Sequence, residues 1–208
     1  MISIQLKSAG KKFLRQWIFK ELNLHIQGPE KIAITGFNGS GKSTLLQVIS
    51  GFQSLNQGEI LFSENNQSIP VAEWYKKISY AAPYLDLPDE YNMHELFSFY
   101  ASFKPFLFNL KEEELIEIIE LTDSKQKPIK YFSSGMKQRL RLALAILSDT
   151  PVLLLDEPLS NLDKKGNEWY KKLLLQYTQE KTVIVCSNNI EDEIVYCNRK
   201  FDIHDYKM

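Results

Sequence analysis

The stretch Gly36-Phe37-Asn38-Gly39-Ser40-Gly41-Lys42-Ser43-Thr44 decides the fold of this 208-residue chain. It follows the phosphate-loop pattern, in which a glycine and four further residues precede glycine, lysine and serine. Residues 31–35 before it have the pattern of a short buried strand, and residues 45–49 after it continue as a helix. Strand, glycine-rich loop and helix start form the context that this motif requires. The sequence therefore predicts a site for a nucleoside triphosphate.

Each part of the loop has a chemical role in that prediction. Glycines let the main chain turn so that successive N–H groups converge on phosphate oxygens, and the helix start adds the positive end of its dipole. Lys42 supplies a charge for the β- and γ-phosphates, and the Ser43 hydroxyl can join a Mg²⁺ shell. A glycine-rich turn that binds nothing is the alternative, and the order of lysine and hydroxyl after the last glycine disfavours it. The candidate nucleotide ligands in this stretch are Gly36, Asn38, Gly39, Ser40, Gly41, Lys42, Ser43 and Thr44.

The bulk composition restricts the class of protein. The length suits one α/β domain, and the net charge of −1 offers no electrostatic footprint for nucleic acid, so we expect no nucleic-acid partner. Residues 1–7 alternate like a strand rather than a signal peptide, and no apolar run approaches the roughly 20 residues of a membrane span. Cys186 and Cys197 lack metal spacing and suggest reduced thiols. We expect a cytoplasmic protein that acts at a membrane only from outside the bilayer.

Hydrophobic periodicity predicts an α/β fold. Apolar strand patterns alternate with helical patterns, which favours a mainly parallel sheet covered on both faces. The predicted strands lie at 2–6, 22–26, 31–35, 58–62, 78–81, 152–155 and 182–186, with a polar turn at 63–68. Helices are predicted after the phosphate loop, from Ser133, at 164–179 and at 190–196.

A helical, aromatic-rich region is predicted between residues 88 and 122. Asn92 with Glu95, and Asn109 with Glu112, resemble capping boxes with asparagine as the cap. Most of the aromatic side chains are expected to form a small helical core. A part of them is expected to form a surface that docks a partner, because aromatic residues are enriched at interfaces.

An acidic pair follows one apolar strand. Asp156 and Glu157 come directly after residues 152–155, where a phosphate-loop enzyme places its second magnesium contact. Asp156 is therefore the candidate Mg²⁺ ligand, and Glu157 the candidate that polarises the water attacking the γ-phosphate. Two carboxylates at a strand end are often only a solvated edge. Their combination with Lys42 and Ser43 is a much stronger signal.

At this point the chain resembles a known family. The phosphate loop, residues 131–139 (YFSSGMKQR) and residues 155–163 (LDEPLSNLD) are similar in order and spacing to the ATP-binding cassette (ABC) ATPases. Residues 133–136 stand where that family has its serine-glycine-glycine-glutamine signature, and 160–163 match its D-loop. The resemblance implies a phosphate-loop NTPase fold with a mainly parallel sheet, an antiparallel β subdomain and a helical subdomain. It implies one ABC ATPase domain over 1–208, with about 84–131 as the inserted helical subdomain.

The resemblance also implies the cofactors and the dimer. Domains of the family pair head to tail around two ATP molecules with Mg²⁺, so Ser133 and Gly135 would face the ATP of a second copy or of a second ABC ATPase. A plain helix N-cap is the alternative for this serine. Phe13 stands where the family places an aromatic ring under the adenine. A buried hydrophobe is the alternative there, and Trp17 is a competitor.

Two positions depart from the family pattern. Pro83 stands where a glutamine that contacts Mg²⁺ or water is expected, and proline has no side-chain amide and fixes φ. Asn188 stands where a histidine is expected; an asparagine can donate a hydrogen bond to the γ-phosphate but cannot shuttle a proton. The histidines His25, His94 and His204 lie elsewhere. We therefore expect intact nucleotide binding with reduced turnover, and list Glu157, Lys42 and Asn188 as catalytic candidates.

These observations favour an ATPase subunit that drives a separate transmembrane permease from the cytoplasmic face of the membrane. Tyr84, Leu85 and Phe97 are the residues expected to contact the permease. The alternative is a weakly hydrolytic, degenerate subunit that gates a heterodimeric ABC system through nucleotide binding. A DNA-repair or translation cassette is disfavoured, because the chain has no long insertion, tandem cassette or basic surface.

Overall fold

The computed structural model describes residues 1–207, and two sheets organise them. The strands are β1 (Ile2–Phe13), β2 (Gln16–Gln27), β3 (Lys31–Thr35), β4 (Gln57–Glu64), β5 (Gln67–Ser68), β6 (Ile78–Ala81), β7 (Val152–Asp156), β8 (Thr182–Ser187) and β9 (Arg199–Asp202). The helices are α1 (Lys42–Ile49), α2 (Met93–Ala101), α3 (Glu112–Ile119), α4 (Ser134–Ile146), α5 (Lys164–Tyr177) and α6 (Glu191–Ile194). Short 3-10 turns lie at Val71–Lys76, Leu107–Asn109, Thr122–Ser124, Ile129–Tyr131 and Ile203–Tyr206.

A parallel sheet with the order β6-β7-β8-β3-β9 forms the centre of the fold. All residues of β7 and β8 are buried, as expected of parallel strands covered on both faces. The predicted α/β fold with a parallel sheet is confirmed. Because parallel strands end at one edge, the carboxyl ends of β3, β7 and β8 lie side by side, with Thr35 opposite Ser187 and Asp156 opposite Cys186.

The second sheet is antiparallel and has the order β2-β1-β4-β5. Its inward residues, such as Ile4 and Phe62, share a core with Ile34 of the parallel sheet and Leu46 of α1. The polar turn predicted at 63–68 is wrong. Only residues 65–66 turn, as two asparagines with left-handed φ of 51° and 65°, so that β4 pairs with β5 in a hairpin.

The helical region contains one correct and one wrong cap prediction. Asn92 caps α2 in a full capping box with Glu95. The box predicted for Asn109 and Glu112 is wrong. Asn109 belongs to the 3-10 turn, where its φ is 55°, and α3 begins only at Glu112, with Lys111 at the N-cap position. There the backbone N–H of Lys111 donates to the Glu114 carboxylate at 2.7 Å.

The second core lies between the other face of the parallel sheet and helices α2 to α6. Phe97 of α2 belongs to it: the side chain is 1% exposed and its ring meets that of Phe106 edge-on at 6.1 Å. The expectation that Phe97 contacts a permease is therefore wrong, because helical periodicity points this ring into the core. The assignment of 84–131 as a helical subdomain stays a prediction. Within residues 1–207, no helix has the length and apolar character that crossing a membrane requires.

Candidate functional site

The phosphate loop connects the carboxyl end of β3 to the start of α1. Gly41 has a φ of 104°, and a Cβ atom built on it would lie 2.4 Å from Cγ2 of Ile18. A side chain at this position would be strained and would clash, so glycine is required before Lys42. The phosphate loop therefore packs directly against β2, which carries Ile18.

The start of α1 opens into a cleft of about 350 Å³. The N–H groups of Lys42, Ser43 and Thr44 have no acceptor inside the helix, as at any helix start. The Ser40 hydroxyl is buried and has no partner. Donors and a dipole end directed at one cleft make a site for an anion. The cleft is lined by Ile18, Asn38, Gly39, Gly41, Lys42, Ser43, Thr44 and Glu157.

A chain of hydrogen bonds connects the three catalytic candidates. Lys42 Nζ donates to the carbonyl oxygens of Gly36 and Phe37, at 2.9 and 3.1 Å, and to Asn188 Oδ1 at 2.6 Å. Asn188 Nδ2 in turn donates to Glu157 Oε1 at 3.0 Å. The structure thus brings Lys42, Asn188 and Glu157 together at the ends of β3, β7 and β8.

Asp156 ends β7 with a buried carboxylate, 1% exposed. Its Oδ2 accepts a hydrogen bond from the Tyr84 hydroxyl at 3.0 Å, while its Oδ1 has no hydrogen-bond partner among residues 1–207. Burial raises the pKa of Asp156, and the nearby Ser43 and Tyr84 hydroxyls act in the opposite direction. A buried carboxylate oxygen without a partner, close to a serine hydroxyl, fits a hard cation such as Mg²⁺. Few protein ligands suffice, because Mg²⁺ keeps water and phosphate oxygens in its shell.

Glu157 has an unusual backbone conformation. Its φ is 43°, in the left-handed region that glutamate rarely adopts, and its N–H donates to the Cys186 carbonyl at 3.0 Å. This turn directs the chain away from the sheet and leaves the side chain facing the cleft. Such strain is found at functional sites.

The signature segment forms a second cleft, of about 490 Å³. Ser133 caps α4, accepting a hydrogen bond from the Met136 N–H at 3.2 Å, and Gly135 lies against the Asn161 carbonyl, which a Cβ atom would approach to 3.0 Å. Asn161 and Asp163 line this cleft too. It shares no lining residue with the phosphate-loop cleft. The structure therefore does not bring Ser133 and Gly135 to the phosphate loop of their own chain.

The aromatic candidates for the adenine lie in the hairpin of β1 and β2. The Phe13 side chain is 44% exposed, with Lys11 Nζ 5.2 Å from its ring centroid, so the alternative of a buried hydrophobe is wrong. Lys12 and Lys20 flank the Trp17 ring at 5.3 and 5.6 Å. Neither aromatic ring lines the phosphate-loop cleft, where β2 contributes Ile18. The assignment of Phe13 to the adenine stays a prediction.

Sequence reasoning missed the polar contacts of Tyr84, which it assigned to a permease. The Tyr84 hydroxyl bonds Asp156 and accepts from Gln47 Nε2 of α1 at 3.2 Å, and it is also hydrogen-bonded to the Tyr80 hydroxyl. Burial raises the pKa of Tyr84 to about 12. The only feature of the sequence that could have indicated a role for Tyr84 near the metal is its position next to Pro83. The contact itself depends on the pairing of β6 with β7.

Comparison of the sequence with those of known proteins identifies relatives of this chain. A sequence profile described as ABC transporter matches residues 19–160. YhcH of Bacillus subtilis, an uncharacterized ABC transporter ATP-binding protein, is 30% identical over 204 residues, covering 94% of this chain and 65% of that protein. This chain therefore spans just under two thirds of the length of YhcH. The thiamine import ATP-binding protein ThiQ of Histophilus somni is 31% identical over 196 residues, covering 87% of this chain and 86% of that protein.

Solved structures share the fold. One is an ATP-binding cassette described as a dimer in a post-hydrolysis state bound to ADP and Pi; its TM-score is 0.80 at 24% identity, covering 98% of this chain and 94% of that one. A second structure of the same cassette, described as a dimeric bacterial ABC transporter cassette, has a TM-score of 0.78 at 22% identity, covering 97% of this chain and 95% of that one. At these identities the likeness shows the fold alone.

Proposed function

The chain belongs to the ABC transporter ATP-binding family, and from this premise we propose that it binds and hydrolyses ATP as the ATPase subunit of an ABC transporter. The observation that carries the proposal is the cluster at the carboxyl edge of the parallel sheet. There Lys42, Asn188, Glu157 and Asp156 surround the open start of α1. Binding, charge neutralisation and water activation each have a residue in this cluster.

The main chain at 39–44 holds the phosphates of ATP in this proposal. Lys42 already directs its ammonium group at the loop carbonyls and at Asn188, and it exchanges these partners for β- and γ-phosphate oxygens when nucleotide binds. Ser43 and Asp156 hold the Mg²⁺ ion. When bound, Mg²⁺ neutralises charge on the phosphate oxygens.

Glu157 accepts a proton from the attacking water in this mechanism. Its carboxylate is held by the Asn188 amide, which also positions Lys42. An amide can orient these groups, but it cannot titrate. The proposed turnover is therefore reduced but not abolished, since phosphoryl transfer depends mainly on positioning and charge stabilisation.

We propose that two cassettes complete each site. The Ser133 hydroxyl and the N–H groups around Gly135 begin α4, and they are the groups that would cover the ATP of a partner cassette. Two observations support this: the two clefts of one chain share no lining residue, and one cassette of similar fold is described as a dimer in two solved structures. The partner is a second copy or a different ABC ATPase.

The proposed membrane partner is a separate permease, with the cassette peripheral on the cytoplasmic face. The thiamine import relative and the taurine import ATP-binding protein TauB of Roseobacter denitrificans are named as import subunits, which supports a transport role. On α2, Phe99 is 45% exposed, and Phe103 just beyond it is 58% exposed. These two rings replace Phe97 as proposed permease contacts, and Leu85 remains one.

Two substitutions test the ATPase. Lys42→Ala should weaken ATP binding by about tenfold or more, because a charge-assisted hydrogen bond contributes about 1.5–3 kcal/mol. Glu157→Gln should lower steady-state turnover by about a hundredfold with ATP binding retained, because it removes the proton acceptor. Calorimetry measures the first effect and phosphate release the second.

Matched controls are the exposed-site variants Lys172→Ala and Glu180→Gln, which should behave like the wild type. If Lys42→Ala bound ATP as tightly as the wild type, the phosphate-binding role of Lys42 would be contradicted. If Glu157→Gln turned over ATP as fast as the wild type, the role of Glu157 as proton acceptor would be contradicted. Turnover that appears only when a different cassette is added would favour the degenerate regulatory subunit. Pro83 and Asn188 are the residues that favour that second candidate.

A further inference from the structure

The loop after β6 reaches the magnesium side of the site through one tyrosine. Tyr84 lies one residue beyond Pro83, and its hydroxyl is 3.0 Å from Asp156 Oδ2. A carboxylate can only accept, so the tyrosine hydroxyl is the donor in this bond. Its own acceptor capacity is used by Gln47 Nε2 of α1 at 3.2 Å, and the Tyr80 hydroxyl also lies within hydrogen-bond distance.

Several contacts hold the backbone of the loop that carries Tyr84. Pro83 restricts φ, and the N–H of Leu85 donates to the Ala82 carbonyl at 3.1 Å, closing a turn around Tyr84. Arg141 of α4 donates from Nε to the Leu85 carbonyl at 2.5 Å. The turn is thereby fixed both to itself and to α4.

The contact leaves the two carboxylate oxygens of Asp156 unequal. Oδ2 is occupied by Tyr84, while Oδ1 is buried and has no partner. If the Asp156 carboxylate could rotate freely, its two oxygens would be equivalent. Fixing it on metal binding would then cost conformational entropy and weaken the affinity for the metal. Charge-assisted hydrogen bonds of this kind orient metal-binding carboxylates and are needed for full metal affinity.

We propose that Tyr84 is a positioning residue for the magnesium carboxylate, holding Asp156 so that Oδ1 faces the cation. It supplies, from the next position in the chain, a polar side chain on the metal side that Pro83 cannot supply. The proposal rests on the proposed Mg²⁺–ATP site, and it assigns to Tyr84 a role different from the permease contact expected from the sequence.

The test compares Tyr84→Phe with the wild type by calorimetry, using a non-hydrolysable ATP analogue with Mg²⁺ and, separately, with EDTA. Loss of a hydrogen bond to a charged group should weaken binding in Mg²⁺ by about tenfold. Binding in EDTA should not change, because Tyr84 is not among the residues lining the phosphate cleft. Tyr75→Phe, at a half-exposed tyrosine outside the site, is the matched control and should change neither value.

A second variant tests whether a smaller disturbance of Tyr84 causes a smaller loss of Mg²⁺-dependent binding. Gln47→Leu removes a donor to Tyr84 but keeps the bond to Asp156, so its loss in Mg²⁺ should be smaller than that of Tyr84→Phe. Melting temperatures without ligand show that both variants are folded. If Tyr84→Phe does not fold, a Mg²⁺-specific loss in Gln47→Leu supports the proposal, and an unchanged value there overturns it.

The other outcomes are distinct. Equal or tighter binding of Tyr84→Phe in Mg²⁺ overturns the positioning role, and so does an equal loss with and without metal. A wild-type protein that binds the analogue in neither buffer overturns the proposed function itself, and the inference with it.

Discussion

Single side chains at this site act through partners that are remote in sequence. Lys42 and Asn188 are 146 residues apart, and their bond of 2.6 Å places an amide where the family pattern has a histidine. The amide uses both of its ends, since it accepts from Lys42 and donates to Glu157. Asn188 therefore orients two catalytic candidates at once, although it cannot carry a proton.

We predict that Asn188→His raises turnover by about tenfold, because an imidazole adds a titrating group beside Glu157. Nucleotide affinity should change little, since Lys42 and the loop amides remain. Steady-state phosphate release at saturating ATP measures the effect. Asn189→His, which places the same ring on the exposed neighbouring residue, is the control and should leave turnover unchanged. Unchanged turnover in Asn188→His would show that the missing imidazole does not limit the reaction.

Secondary-structure elements position the site through contacts between their ends. Helix α4 carries the signature serine at its start, and its buried Gln138 donates from Nε2 to the Pro158 carbonyl, at 2.9 Å, just beyond the acidic strand β7. The carboxyl end of α4 is held by Lys181, whose Nζ donates to the carbonyls of Ile146, at 3.0 Å, and Ser148. A cation at a helix end satisfies carbonyls that lack partners there. One helix thus connects the second cleft to both ends of the parallel sheet.

The buried amine of Lys181 should make the free energy of unfolding depend on pH in the alkaline range. Burial lowers the pKa of its amine to about 8 from 10.5. Between these values the folded state binds fewer protons than the unfolded state, so the free energy of unfolding should rise with pH from 8 to 10.5 and fall back as pH drops through 8. A pKa shift of this size corresponds to at most about 3 kcal/mol.

Denaturant unfolding of the wild type and Lys181→Met over this pH range measures the effect as a difference, which cancels the titration of the tyrosines. The difference in unfolding free energy should grow with pH in favour of the wild type. Lys127→Met, at an exposed lysine, is the control and should follow the wild type throughout. Parallel curves for Lys181→Met and the wild type would contradict the burial of a perturbed amine.

The described residues form two separate clefts, which we propose are complementary halves of a site shared between two cassettes. The phosphate-loop cleft holds lysine, serine and carboxylates, whereas the cleft at Ser133 offers a helix start and shares no lining residue with it. A single copy does not close the first cleft with the second. The proposed head-to-tail dimer does so, and it makes ATP part of the interface.

We predict that Ser133→Asp weakens ATP-dependent dimerisation without unfolding the chain. Aspartate caps a helix as well as serine does, but it would place a negative charge against the partner's γ-phosphate. Light scattering of the Glu157→Gln variant, which keeps Ser133, should show a dimer in the presence of Mg²⁺ and ATP. With aspartate at position 133 the dissociation constant should rise by at least about tenfold. Ser68→Asp on β5 adds the same charge away from both clefts and should still dimerise.

Two of the errors made from the sequence lie in the helical region. Asn109 and Glu112 have the spacing of a capping box, but the chain at Leu107 hydrogen-bonds to the Leu147 carbonyl at 2.8 Å, and the turn this contact holds displaces the helix start. Phe97 was expected at a surface although its helix buries it against Phe106. At Asn109 a tertiary contact overrode the local pattern, whereas at Phe97 the helical periodicity itself indicates burial.

The sequence by itself determined the phosphate loop, the acidic end of β7, the cap of α4 and the parallel sheet. These features depend on neighbours within a few residues: glycine conformations, hydrophobic periodicity and capping hydroxyls. Only the tertiary structure decided that Tyr84 holds Asp156, 72 residues away, and that Asn188 joins Lys42 to Glu157. The strand order β6-β7-β8-β3 is responsible, because it brings the ends of strands that are far apart in the chain to one edge, where their side chains share hydrogen bonds.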